Sequence, residues 1–203
     1  MSTIVVARKN GKAAIAADSR FTACGTAIDP KYKTNYDKIH KFDDSYIGIT
    51  GSSAHHSVFE SIMEKHRSDL SFQSRKHIFE SYLKIHKYLK EEFYVLTAED
   101  DKDQPYESSQ ITAVIANPHG IFEMYSYREV TEYNRFWSIG SGSSFALGAL
   151  HAVYERLEDA EEIAQAGVAA AAEFDNRTAL PLTLYSVRLS GQKGRKSGKI
   201  KRF

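Results

Sequence analysis

The run Thr3-Ile-Val-Val-Ala7, the tripeptide Asn10-Gly11-Lys12 and the run Ala13–Ala17 constrain this chain more than any other stretch. Asn-Gly tolerates the positive φ angles of a two-residue hairpin, so the apolar runs on either side are committed to antiparallel pairing. The strand begins abruptly, directly after Ser2, and its returning partner ends at Asp18. Further on, Lys38–Phe42 and Tyr46–Gly51 flank Asp43-Asp44-Ser45 as two more short strands, with Lys38 inside the first of them. The stretch between, Gly25–Asn35, reads as loop.

The apolar period then changes from two toward 3.6. Ser52 or Ser53 caps a helix that places Val58, Phe59, Ile62 and Met63 on one side. After a break at 68–71, Ile78, Phe79, Tyr82, Leu83, Ile85, His86 and Leu89 describe a longer amphipathic helix that runs to about Phe93. The segment 97–109 carries five acids and one lysine around Pro105, and reads as an exposed insertion. Gln110–Ala116, the turn Asn117–Gly120 and Ile121–Tyr127 make a second hairpin, and Phe136–Gly140 is a strand that ends in glycines. Helices follow over 144–154 and 159–174, the second rich in alanine, and Leu182–Val187 is a last strand.

Strands that adjoin as hairpins, without crossover helices, exclude a doubly wound parallel sheet. The order of strands, two helices, strands, two helices and a strand predicts an α+β chain: two antiparallel sheets packed face to face, with a helix pair outside each. One domain over 1–190 suffices for 203 residues. Residues 191–203 hold six Lys or Arg and no acid, so the formal net charge of +1 divides into about −5 for the body and +6 for a basic, flexible tail.

Near-neutral net charge gives no argument for nucleic acid or an anionic membrane. No apolar run is long enough to span a bilayer, and no basic segment followed by an apolar one opens the chain. One cysteine, Cys24, precludes an internal disulfide framework and favours a reducing compartment, so the expected location is cytoplasmic. Eight histidines show no metal-ligand spacing: His55 and His56 are adjacent, and His66, His77 and His86 fall among helix positions. Neither a metal nor a cofactor is expected. His40 and His119 lie in or beside strands, with no partner legible.

Gly140–Ser144 reads Gly-Ser-Gly-Ser-Ser between a strand and a helix, lacking both the lysine of a P-loop and the spacing of a hydrolase elbow. Its backbone N–H groups suit an anion or a simple helix cap. Ser2 gives these scattered features a common use. Small residues after an initiator permit methionine removal, which would put a hydroxyl and a free α-amine on one residue. An α-amine titrates near pH 8, close to the optimum for a general base that activates the hydroxyl. A buried ammonium such as that of Lys38 would favour the neutral amine, and glycine N–H groups would stabilise an oxyanion.

These residues resemble the proteasome β-subunit family of N-terminal nucleophile hydrolases, which includes the HslV-type peptidase. Within it the chain is most similar to the beta-proteobacteria proteasome homologue, through Pro105–Phe122 and Tyr125–Val130. The resemblance runs from Ser2 to about Val187 and implies the family's four-layer αββα sandwich. It assigns Ser2 as nucleophile in place of the usual threonine, Asp18 and Lys38 as the acid and lysine that tune it, and Gly48 as oxyanion donor. Gly140-Ser141-Gly142 and its helix place a site serine at Ser141, and Glu173–Ala179 supplies Asp175 and Thr178, the latter with threonine for serine. The implied activity is peptide hydrolysis within a chambered homo-oligomer, with seven-membered rings stacked in pairs. Peptide or protein substrates would be delivered by a separate cap or ATP-dependent unfoldase. A small-molecule amidase with the same chemistry is the alternative, as is a silent ring-forming relative if Met1 is retained.

Overall fold

The structure is a computed structural model and describes residues 2–23, 25–97 and 105–191. Met1, Cys24, the centre of the acidic insertion at 98–104 and the basic tail from 192 lie outside the described residues.

The opening hairpin forms as its sequence dictates. Strands β1 (Thr3–Lys9) and β2 (Lys12–Asp18) pair antiparallel, and Asn10 and Gly11 hold φ angles of 46° and 77° at the turn. A small ribbon follows, β3 (Phe21–Ala23) with β4 (Thr26–Ile28), then a 3-10 turn at Pro30–Tyr32. Gly25–Asn35 is therefore not all loop: Phe21 and Ile28 pair across a short turn whose apolar content is too small to register as strand. Strand β5 (Ile39–Phe42) starts one residue after Lys38, so that lysine precedes the strand, and β6 (Ser45–Thr50) pairs with it.

Helices α1 (Ala54–Lys65) and α2 (Arg75–Glu91) follow. The Ser74 side chain caps α2 by accepting the His77 N–H, whereas Ser53 precedes α1 without a side-chain cap. The second strand set is β7 (Thr112–Asn117), β8 (Gly120–Met124), β9 (Val130–Tyr133) and β10 (Phe136–Gly140). Two more helices, α3 (Ser143–Val153) and α4 (Ala160–Phe174), lead to β11 (Leu182–Arg188). Asp159 caps α4, accepting the Glu161 N–H at 2.8 Å.

The strands form a four-stranded sheet in the order β10-β1-β2-β11 and a five-stranded sheet in the order β5-β6-β7-β8-β9, all pairs antiparallel. Three apolar layers result. Ile4, Ile15, Val114 and Ile121 fill the space between the sheets. Phe59, Ile62, Tyr82 and Ile85 pack α1 and α2 on the five-stranded sheet, and Val5, Ala16, Ala164 and Val168 pack α3 and α4 on the other. This is the expected αββα sandwich. The alanines on β2 and α4 bring helix and strand close, and each fully buried Ile or Phe contributes about 1.5–3 kcal/mol. Phe79 and Leu83 depart from the helical pattern: both remain over 40% exposed on α2.

The register decides what meets at one edge of the sandwich. Thr3 pairs with Gly140 and Ile4 with Ala17, so the start of β1 lies between the ends of β10 and β2. The ends of β6 and α4 arrive at the same edge.

Candidate active site

Ser2 lines an open cleft of about 510 Å³ together with Thr50, Gly51, Gly140 and Ser141. Its carbonyl oxygen accepts the Ser141 N–H at 2.9 Å. A Cβ on Gly140, which has φ +98°, would stand 1.7 Å from that oxygen, so only glycine permits this approach. The last residue of β10 thus fixes the chain immediately ahead of β1.

Ser2 is itself only 5% exposed, so Thr3 differs from it in its partners and in not lining the cleft. It is fully buried, and its N–H donates to Asp18 Oδ1 at 2.9 Å. Its Oγ1 accepts the Gly142 N–H at 3.1 Å and lies 2.6 Å from Thr178 Oγ1. Thr178 in turn donates to Asp175 Oδ2 at 2.6 Å, and Ser141 Oγ donates to the same oxygen at 2.7 Å. Burial works against the Asp175 carboxylate, but these hydroxyls and the Arg177 N–H overcome it and hold its pKa below the ordinary aspartate value.

A second network lies on the other side of Thr3. Lys38 Nζ donates to Asp18 Oδ1 at 2.8 Å and to the Arg20 carbonyl at 2.6 Å, with both side chains of the ion pair essentially inaccessible. Asp18 Oδ2 accepts the backbone N–H groups of Arg20 and Ala179 at 3.0 and 3.3 Å. Burial pushes the Lys38 ammonium below the ordinary lysine value; Asp18 pulls it back up, while Lys33 and Arg20 push it further down. Desolvation therefore wins, and the ammonium is poised to give up a proton more readily than a surface lysine.

Six of the seven residues singled out in the sequence come together: Ser2, Asp18, Lys38, Ser141, Asp175 and Thr178. Gly48 does not. It lies in the interior of β6, paired with both Ile39 and Val114, and a Cβ there would meet the Ile4 side chain at 2.7 Å. It is a packing glycine between the sheets, and its backbone belongs to the ladder. Gly51, three residues on, does line the cleft, with φ +140° and Gln110 O and His55 Nδ1 behind it. No sequence signal marks Thr3 or the turn at Gly51 as site residues, and Gly140 and Gly142, legible only as an anion loop or helix cap, prove to be the glycines that let Ser2 O and Thr3 Oγ1 approach.

His40 has partners that the sequence did not disclose. Its Nε2 lies 3.0 Å from His56 Nδ1 and its Nδ1 3.3 Å from Glu60 Oε1. Burial, with His40 and Lys38 nearby, lowers the His56 pKa to about 4. Among the described residues, no group of three or more His, Cys, Asp or Glu is arranged to hold a metal ion, and no helix is long and apolar enough to cross a membrane.

A family model described as "Proteasome subunit" matches residues 1–187. The solved structure of Thiobacillus denitrificans BPH superposes with a TM-score of 0.83 at 37% identity, covering 93% of this chain and 98% of that one. The same protein in complex with epoxomicin gives 0.82 at 37% identity, with coverages of 93% and 100%. Eukaryotic HslV from Trypanosoma brucei shares the fold, with a TM-score of 0.67 at 19% identity over 92% of this chain and 99% of that one.

Proposed function

We propose, from the premise that this chain belongs to the proteasome subunit family, that it hydrolyses peptide bonds with Ser2 as an N-terminal nucleophile. The observation that carries this is the division of labour between two adjacent hydroxyls. Ser2 lines the cleft, while the Thr3 hydroxyl is buried with a donor and a hydroxyl partner already in place.

Once Met1 is removed, the Ser2 α-amine accepts the proton of Ser2 Oγ as that oxygen attacks the substrate carbonyl carbon. The Gly51 N–H, at the edge of the cleft, donates to the resulting oxyanion; such a donor is worth about 10²–10³ in rate. Collapse breaks the C–N bond, and the ammonium returns its proton to the leaving nitrogen. Water, deprotonated by the same amine, then cleaves the seryl ester. Lys38 keeps positive charge beside the chain end and disfavours a protonated resting amine, Asp18 holds Lys38, and Ser141, Asp175 and Thr178 fix the backbone around Ser2.

Members of this family form ring-shaped oligomers with ATPase caps. For this chain the corresponding reading is a cytoplasmic homo-oligomer of stacked seven-membered rings, fed with unfolded protein by a separate ATP-driven partner. Kinship to a protein solved in complex with epoxomicin supplies a probe. A Ser2→Ala variant that hydrolyses peptides as fast as the parent, or binds epoxomicin covalently as well, would defeat the serine assignment.

A further inference from the structure

We infer that Thr3 is a positioning residue for the Ser2 nucleophile, acting as the joint between the Lys38–Asp18 pair and the Asp175–Thr178–Ser141 group. The inference rests on the peptidase reading above. No part of that mechanism uses Thr3, yet its main chain and side chain reach both networks: its N–H ends on Asp18 Oδ1, its hydroxyl on Thr178.

The direction of the hydrogen bonds can be worked out from the acceptor at the end. Asp175 is held ionised and can only accept, so the Thr178 proton is committed to Asp175 Oδ2. Between the two threonine oxygens, 2.6 Å apart, the donor must then be Thr3. Thr3 Oγ1 has its own donor in the Gly142 N–H. The order is Gly142 N–H to Thr3 to Thr178 to Asp175, with every hydroxyl proton directed and no freedom left to rotate.

The surroundings are built to allow this chain. A Cβ on Gly142 would lie 2.4 Å from Thr3 Oγ1, so a side chain there would displace the donor. The β-branch of threonine restricts χ1, which keeps Oγ1 aimed at Thr178. Thr3 is also fully buried, so water cannot replace a missing partner. Its N–H and hydroxyl together fix the peptide plane that follows Ser2, and with it the direction of the Ser2 side chain and amine. Near-attack geometry is sensitive to displacements of this kind, and a shift of about 1 Å can cost roughly 10²-fold.

The test compares Thr3→Val, which keeps the shape and removes the hydroxyl, with Thr3→Ser, which keeps the hydroxyl. Peptide turnover and the rate of covalent epoxomicin labelling are followed across pH in the assembled protein. Thr3→Val should lower kcat and the labelling rate about tenfold or more, with KM little changed and a displaced amine pKa in the pH profile. Thr3→Ser should restore most of the loss. Thr178→Val breaks the same chain from its other end, and keeps the test open if Thr3→Val does not fold. It should reproduce the signature, and the double variant should lose no more than the worse single one. A labelled parent with unchanged kcat, labelling and pH profile in Thr3→Val, or in Thr178→Val where only that variant folds, overturns the inference alone. So does equal impairment of Thr3→Val and Thr3→Ser, or additive losses in the double variant. A parent that epoxomicin leaves unmodified at Ser2 overturns the peptidase reading and this inference with it.

Discussion

The carbonyl oxygen of Ser2 lies where a side chain on Gly140 would begin, 1.7 Å from the position of its Cβ. Nothing larger than hydrogen fits there, and the φ of +98° at Gly140 would itself strain any other residue. Gly140→Ala should therefore push the start of β1 out of place. The expected outcome is loss of epoxomicin labelling and a destabilisation of about 2 kcal/mol or more, read from denaturant midpoints. Retained labelling at parental rates would show that the β10 edge does not set the nucleophile.

Asp18 and Lys38 form a buried pair, but their losses should not be equal. Without Lys38, Asp18 keeps three backbone donors, from Thr3, Arg20 and Ala179. Without Asp18, the ammonium keeps the Arg20 carbonyl and loses its counter-charge. Asp18→Ala should cost about 3–5 kcal/mol, the range for a buried charge left unpaired, and Lys38→Met distinctly less. Both should abolish turnover. Urea unfolding of the two variants decides the order, and a more unstable Lys38→Met would reverse the assignment of which member holds the other.

Two glycines three residues apart should respond in opposite ways. Gly48→Ala presses a methyl group against Ile4, an overpacking defect of about 1–3 kcal/mol that should leave turnover per folded molecule near the parental value. Gly51→Ala twists the backbone at the cleft and should lower turnover by about 10²–10³. Active-site titration with epoxomicin separates the folded fraction from its rate. Activity lost at Gly48 and kept at Gly51 would return the oxyanion donor to the strand.

The histidine pair predicts a loss of stability in mild acid. His56 is held neutral in the folded protein, with its pKa lowered to about 4, whereas the unfolded chain takes up a proton near pH 6.5. Below that pH the unfolded state binds more protons, so stability falls as pH falls toward 4. Between about pH 6.5 and about pH 5 the contribution is about 1.5 kcal/mol. Asp175 acts lower down: its depressed pKa gives stability that is present above the ordinary carboxylate value and drains away as pH falls through the folded one. Thermal melts of His56→Gln should show a flatter dependence above about pH 5 than the parent, and Asp175→Asn a flatter one only below it. Parallel curves for the parent and His56→Gln would contradict the buried neutral imidazole.

Much of this architecture was legible in the residues. Asn10-Gly11 marks the first hairpin, and the change of apolar period locates α1 and α2 because their buried faces are long enough to repeat. Short elements escaped: β3 and β4 carry three residues each and little apolar surface, and β9 was hidden in a polar run. Within the site, the chemistry of Ser2 and Lys38 is visible in their type, whereas Asp18, Ser141, Asp175 and Thr178 are legible as site residues only through the family resemblance. Gly48 and Gly51 are indistinguishable by type, because a glycine's role depends on φ and on what lies behind it. Thr3 is hidden in the sequence for a related reason. As a β-branched residue opening a strand it looks like strand, and the partners of its hydroxyl lie 139 and 175 residues away in sequence.

The most direct measurement is mass spectrometry of the assembled protein, intact and after epoxomicin, with the modified residue located by fragmentation. The expected result is loss of Met1 and a covalent adduct confined to Ser2. Met1 retained in active protein, an adduct on Thr3, or no adduct on a chain that begins at Ser2 would contradict it.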